Sequence, residues 1–134
     1  MLHLALHHVS LISTDLDRSA RFYEDVLCFK RIARPAFTSK GVWYGLGALQ
    51  VHIVLNPEGT FRAQPSPSSV DVHFALRTDD FDATLAALAR HGYRDDLPQG
   101  DFKRLVVKRG GAAGFPQLFM VDPDSQVIEI NQAP

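Results

Sequence analysis

Four residues able to ligate a transition metal stand one each in four segments of alternating polarity: His8, His52, His73 and Glu129. Neighbouring side chains of a strand point to opposite faces of a sheet, so alternation tells which of them can meet. His8 shares a side with Ser10, opposite Val9 and Leu11; Gln50 and His52 oppose Val51, Ile53 and Leu55. Asp71, His73, Ala75 and Arg77 oppose Val72, Phe74 and Leu76, while Glu129 and Asn131 oppose Ile128 and Ile130. Each polar face therefore carries one candidate ligand. Three imidazoles and a carboxylate suit Ni, Mn, Fe, Co or Zn rather than Mg or Ca, so the expected cofactor is one divalent metal per site. Four protein ligands in an octahedral site leave two positions open, where a substrate oxygen can coordinate and be polarised. Of the other histidines, His7 falls on the apolar side and is expected in the core or an interface. His91 sits beside Gly92 at a helix C-terminus, where an imidazolium suits the dipole, and His3 receives no role.

The elements that carry these residues are legible from periodicity. Residues 4–12 alternate as a strand, and Thr14 or Asp15 supplies a helix cap. Leu16, Ala20, Tyr23 and Leu27 then recur at spacings of four, three and four, which predicts a helix ending near Cys28. Strands are expected near residues 30–33, 42–46 and 49–55, the last two joined by a turn at Gly47. Residues 57–69, with Pro57, Pro65, Pro67 and Gly59, read as a linker. Beyond it come a strand over 70–77, a cap at Asp79 or Asp80 and a helix face of Phe81, Leu85 and Leu88 ending at Gly92. Strands near 102–108, 117–121 and 126–130 follow, separated by the Gly-rich turn 110–114 and the Asp122-Pro123 turn.

The second half repeats the first. An offset of 65 residues places His8 on His73, Leu11 on Leu76, Asp15 on Asp80, Leu16 on Phe81, Asp17 on Asp82 and Ser19 on Thr84, without a gap. At the far end an offset of 77 places His52 on Glu129, and the Gly-rich turn and its neighbouring loops absorb the difference. Candidate ligands at corresponding positions of two repeats are what a pseudo-twofold site produces.

Composition narrows the function. Fourteen Lys+Arg against fifteen Asp+Glu give a net charge of −1, with no basic stripe, so neither nucleic acid nor a membrane surface is an expected partner. A single cysteine, Cys28, excludes an internal disulfide and a Cys-based zinc site and suits a reducing compartment. Cytoplasm is the expected location: residues 1–14 lack the features of a signal peptide, and no apolar run approaches a membrane span.

The segments HHVSLISTDLDRSARFYEDVL, LQVHI, VHFALRTDDFDATLAALARHG and QLFMVDPDSQVIEI resemble the vicinal oxygen chelate superfamily. That group holds glyoxalase I, bleomycin-resistance proteins, fosfomycin-resistance thiol transferases, methylmalonyl-CoA epimerase and extradiol dioxygenases. The resemblance covers nearly the whole chain. It implies metal ligands on the first and last strands of each module, which hold His8, His52, His73 and Glu129 here. The expected fold is α+β: two tandem β-α-β-β-β modules forming a curved mixed sheet around a metal-binding cleft, in a single domain over 1–134. Module 1 covers about 1–56 and module 2 about 70–134. Short modules leave sheet edges to cover, so a homodimer is expected.

Departures from the family pattern bear on the reaction. Glyoxalase I enzymes usually carry glutamate where His52 stands, whereas the epimerases resemble this chain in having a neutral ligand there. Glu129 then serves both as ligand and as the catalytic base. The leading expectation is a divalent-metal lyase or isomerase of the glyoxalase type acting on a small molecule. One alternative is an Fe(II) extradiol-type dioxygenase, which uses only the positions of His8, His73 and Glu129. Another is a metal-free binding protein like the bleomycin-resistance members. Residues 108–114 do not look like the serine-rich potassium loop of the fosfomycin enzymes. Cys28 and Ser125-Gln126 replace the family's usual glycine and Gly-Asn at positions expected to be structural turns. Substrate contacts are expected from Arg34 and Arg104, among basic residues that include Arg77 and Lys103, and from an apolar wall of Trp43, Tyr44 and Phe115.

Overall fold

The computed structural model describes all residues, Met1–Pro134, and the chain divides into two compact units, Met1–Thr60 and Phe61–Pro134. The first unit runs β1 (His8–Ser13), α1 (Leu16–Arg21) with a π-helical continuation (Phe22–Val26), β2 (Lys30–Ile32), β3 (Gly41–Leu46) and β4 (Leu49–Leu55). The second runs β5 (His73–Arg77), α2 (Phe81–Arg90), β6 (Val106–Lys108), β7 (Gln117–Val121) and β8 (Val127–Asn131). Each unit is thus one β-α-β-β-β module, and the class is α+β as expected. The strands form two four-stranded sheets, one per module, ordered β1-β4-β3-β2 and β5-β8-β7-β6. Each is mixed: β1 pairs with β4, and β5 with β8, in parallel, while the remaining pairs are antiparallel.

In each unit the helix covers one face of the sheet, where the core forms. Leu11, Val42, Tyr44, Val51 and Ile53 are buried with Ala20, Phe22, Tyr23 and Phe29 in the first unit. Leu118, Met120, Ile128 and Ile130 are buried with Phe81, Leu88, Tyr93 and Leu105 in the second. Alternation sends the candidate ligands to the opposite face.

The repeat extends to individual hydrogen bonds. Asp15 and Asp80 are the N-caps: a carboxylate oxygen of each accepts from the backbone N–H three residues on, Arg18 at 3.0 Å and Ala83 at 2.9 Å. The hydroxyls of Ser13 and Ser19 lie 2.6 Å apart, and those of Thr78 and Thr84, at the 65-residue offset, 2.8 Å apart. In both modules this pair ties the end of the first strand to the first turn of the helix.

Both helices also end alike. After α2, Gly92 takes φ +87°, its N–H donates to the Ala89 carbonyl, and the N–H of Tyr93 reaches back to the Leu88 carbonyl. This is a Schellman closure, for which glycine is favoured because it lacks a Cβ. In the first module Cys28 takes the corresponding left-handed position, φ +58°, and Phe29 N–H reaches the Tyr23 carbonyl. Ser125 likewise has φ +67° in the β7–β8 turn. The two departures from glycine-containing family turns therefore fall where the backbone is left-handed.

Three expectations are corrected. The helix predicted to run evenly to Cys28 changes at Phe22 to a π turn, in which Leu27 N–H bonds the Phe22 carbonyl. The extra residue per turn rotates the chain, so Phe22 is buried while Leu27 is only half-buried. The strands expected from 4 and 70 begin at His8 and His73, and Leu4, Leu6, Val70 and Val72 are exposed. Their partners run out: β4 starts after the Gly47 turn and β8 after the Asp122–Ser125 turn. His7 precedes β1 and is exposed rather than in the core, its Nδ1 2.9 Å from Nδ1 of His8.

Candidate metal and substrate site

In the first unit the parallel register sets His8 opposite Gln50 and Ser10 opposite His52, so His8 and His52 share one face. Their rings stack with centroids 4.1 Å apart at 16°. On the other side of His52, Trp43 of β3 stacks at 3.9 Å and 3°, because Trp43 and His52 are directly paired. Phe37 packs on Trp43, and the Arg34 guanidinium lies 4.9 Å over the Phe37 ring. Gly41 makes room for this arrangement: a Cβ there would stand 2.5 Å from the Ile53 carbonyl oxygen and 3.1 Å from Arg34 Nε. His52 is 6% exposed. Burial, then the neighbouring His8, His7 and Arg34, hold its pKa below the usual imidazole value, favouring the neutral form that a metal requires. Its Nε2 is 2.8 Å from Gln50 Oε1, an acceptor, which leaves Nδ1 as the nitrogen available to a ligand.

In the second unit Ala75 is paired with Glu129, and His73 and Glu129 point to the same face. His73 Nε2 is 3.1 Å from Glu129 Oε2. The contact is a hydrogen-bonded pair, and its length is also compatible with two neighbouring ligands of one ion, whose donors, bound at about 2.1 Å and about 90° apart, stand about 3 Å from each other. The carboxylate is oriented: Gln117 Nε2 and Asn131 Nδ2 both donate to Oε1 at 2.8 Å, leaving Oε2 toward His73. Burial raises the Glu129 pKa, but the hydrogen bonds from Asn131 and Gln117 and the nearby His73 outweigh it, and the net shift is downward. Beside the pair lies a buried apolar cluster of Phe119, Val121 and Val127, with Phe119 edge-on to His73 at 5.7 Å.

The four expected ligands are thus brought together as two pairs, one in each unit. No three His, Cys, Asp or Glu side chains are gathered into a group that could hold a metal ion. Among expected substrate contacts, Arg34 and Trp43 join the His8–His52 face. Arg104 instead donates to the Leu97 carbonyl at 2.8 Å, and Phe115 is half-buried two residues ahead of β7. Lys103 Nζ binds the His91 carbonyl at the end of α2, Arg77 pairs with Asp79, and Tyr44 is turned to the helix side, donating to Glu24. Gln117 was not anticipated. Asn131 is marked by strand alternation as a neighbour of Glu129, whereas Gln117 reaches it only through the β7–β8 register.

The family model described as the Glyoxalase/Bleomycin resistance protein/Dioxygenase superfamily matches residues 5–130, and the chain belongs to that superfamily. It is 31% identical over 134 residues to Glyoxylase I 4 of Arabidopsis thaliana, covering 96% of this chain and 71% of the relative. A glyoxalase family protein from Bacillus anthracis superposes with a TM-score of 0.76 at 16% identity, covering 100% of this chain and 98% of that one. A bleomycin-binding protein complexed with bleomycin superposes with a TM-score of 0.69 at 21% identity, covering 98% of this chain and 100% of that one. At these identities the two structures speak for the fold alone. No helix is long and apolar enough to cross a membrane.

Proposed function

We propose that this chain is a divalent-metal-dependent enzyme of the glyoxalase type, a lyase or isomerase of a small carbonyl or vicinal-oxygen compound. In this reading the two units work as one glyoxalase-like domain in a cytoplasmic homodimer, and His8, His52, His73 and Glu129 hold one Ni, Mn, Fe, Co or Zn ion. The observation that carries it is the His73–Glu129 pair at the spacing of neighbouring ligands, with Oε1 already saturated by Gln117 and Asn131. The 31% identity to a glyoxylase I relative supports the reaction class.

A bound ion supplies Lewis acidity at a substrate oxygen. Glu129 moves the proton: Oε2, which faces His73, is the oxygen that Gln117 and Asn131 leave unbonded, and the lowered pKa keeps the carboxylate ionised and ready to accept. Trp43 offers a flat surface for an apolar part of the substrate, and Arg34 a cation for an anionic group; Arg104 and Phe115 are the corresponding proposals in the second unit. The metal-free binding reading is favoured by one observation, the row of rings in which Trp43, His52 and His8 stack and Phe37 leans on Trp43 at 47°, which suits an aromatic ligand.

Elemental analysis after dialysis against each ion in turn, with His73→Ala as control, tests the proposal. About one metal per chain in the wild type, lost in the variant, is expected. An iron preference, with binding retained in His52→Ala, selects the dioxygenase alternative. No bound metal under any condition overturns both enzyme readings and leaves the binding protein. Glu129→Gln that retains metal and full turnover removes the proton-transfer role.

A further inference from the structure

We propose that Arg62 is a positioning residue for His73, acting through Asp71 to fix which ring nitrogen faces Glu129. Its consequence for metal affinity rests on the function proposed above; the positioning itself concerns the chain alone.

Residues 61–72 belong to the second unit and lead into β5. Arg62, whose side chain is only 16% exposed, gathers this segment. Its Nη1 donates to the Gln64 carbonyl and, at 3.4 Å, to that of Ser125; Nη2 donates to the Ser66 carbonyl at 2.9 Å. Its Nε donates to Asp71 Oδ2 at 2.5 Å. The same guanidinium therefore touches the lead-in to His73 and the turn before the strand of Glu129.

The other oxygen of Asp71, Oδ1, accepts from the Val72 N–H at 2.9 Å. With both carboxylate oxygens held, the plane of the Asp71–Val72 peptide is fixed, because its N–H is one of the anchors. The Asp71 carbonyl, rigid in that plane, meets His73 Nδ1 at 2.7 Å. A carbonyl only accepts, so Nδ1 is the nitrogen that donates to it, and this anchor turns Nε2 to Glu129 Oε2. A backbone carbonyl behind a ligating histidine fixes its tautomer and ring angle, and removing such support typically lowers metal affinity 10- to 100-fold. The first module has no equivalent: the 65-residue offset puts Leu6 at the position of Asp71.

The test reads the ring directly. Nuclear Overhauser spectra are expected to show His73 held in one ring orientation, with a fixed set of ring-proton contacts to Phe119. In Arg62→Ala these contacts average over several ring orientations, and Asp71→Asn, which keeps the backbone carbonyl but loses the ion pair, loosens them the same way. Arg62→Lys, with charge but no fork, restores the wild-type pattern only partly. Cobalt titration of the same proteins is expected to show affinity about tenfold weaker in Arg62→Ala. An unchanged set of His73 ring contacts in folded Arg62→Ala and Asp71→Asn, whatever their melting temperatures, overturns the proposal, since a merely structural role lowers stability without moving the ring. Wild-type protein that takes up no cobalt overturns the metal reading, while the NMR comparison still judges Arg62.

Discussion

His73 Nε2 and Glu129 Oε2 lie 3.1 Å apart although 56 residues separate them in the chain. The parallel pairing of β5 with β8 puts Ala75 opposite Glu129, and the side-chain alternation of both strands brings the two groups to one face. The carboxylate then depends on Gln117 and Asn131 for its orientation.

That dependence sets an acid response. The Glu129 pKa is lowered in the folded protein, so its contribution to stability is present above the unfolded value and is lost as pH falls through the folded one. Asn131→Leu removes a hydrogen bond to Oε1 and is expected to raise the Glu129 pKa and shrink that contribution. Carboxyl NMR titration of the variant checks this; an unshifted Glu129 midpoint refutes it.

Cys28→Gly is expected to stabilise the protein by about 0.5–1 kcal/mol. The left-handed conformation costs an ordinary residue about 1–2 kcal/mol, and the extra freedom of glycine in the unfolded chain returns part of the gain. Urea unfolding at matched pH measures the difference, and a destabilised variant contradicts the account.

The buried Ser13–Ser19 pair is expected to matter as a unit. Ser13→Ala breaks its bonds to the Ser19 hydroxyl and to the Asp15 N–H and leaves polar groups unpaired at the start of α1, costing about 1–3 kcal/mol. Adding Ser19→Ala costs less than it does alone, because the interaction is already gone. A double-mutant cycle reads the coupling, and simple additivity rules out the shared bond.

Alkaline solution acts through tyrosine. Burial, with the nearby Asp122 carboxylate, pushes the Tyr93 hydroxyl up to about 12. A group raised in the folded state contributes stability below its unfolded pKa of about 10, and this is lost as pH climbs toward the folded value, at about 1.4 kcal/mol per pH unit. Tyr44 is raised in the same sense by burial and its bond to Glu24. Tyr93→Phe is expected to flatten the loss above about pH 10. Unfolding measured at a series of alkaline pH values decides, and an equal slope in both proteins counts against it.

By itself the sequence determined what nearest neighbours control. It narrowed the helix caps to Thr14 or Asp15 and to Asp79 or Asp80, between which the structure chose Asp15 and Asp80, and alternation assigned His8, His52, His73 and Glu129 to polar faces without knowledge of their partners. The span of β4, residues 49–55, and of β7, residues 117–121, followed from apolar alternation bounded by turns. Tertiary structure decided what depends on distant partners. The apolar alternation upstream of His8 and His73 stays outside the sheets because β4 and β8 have no residues left to pair with it. Gln117 holds Glu129, and Arg62 holds Asp71 behind His73, by bonds spanning 12 and 9 residues, whose existence depends on strand register and loop path. Local pattern selects the face of a side chain, but only the pairing of separate strands selects its neighbours.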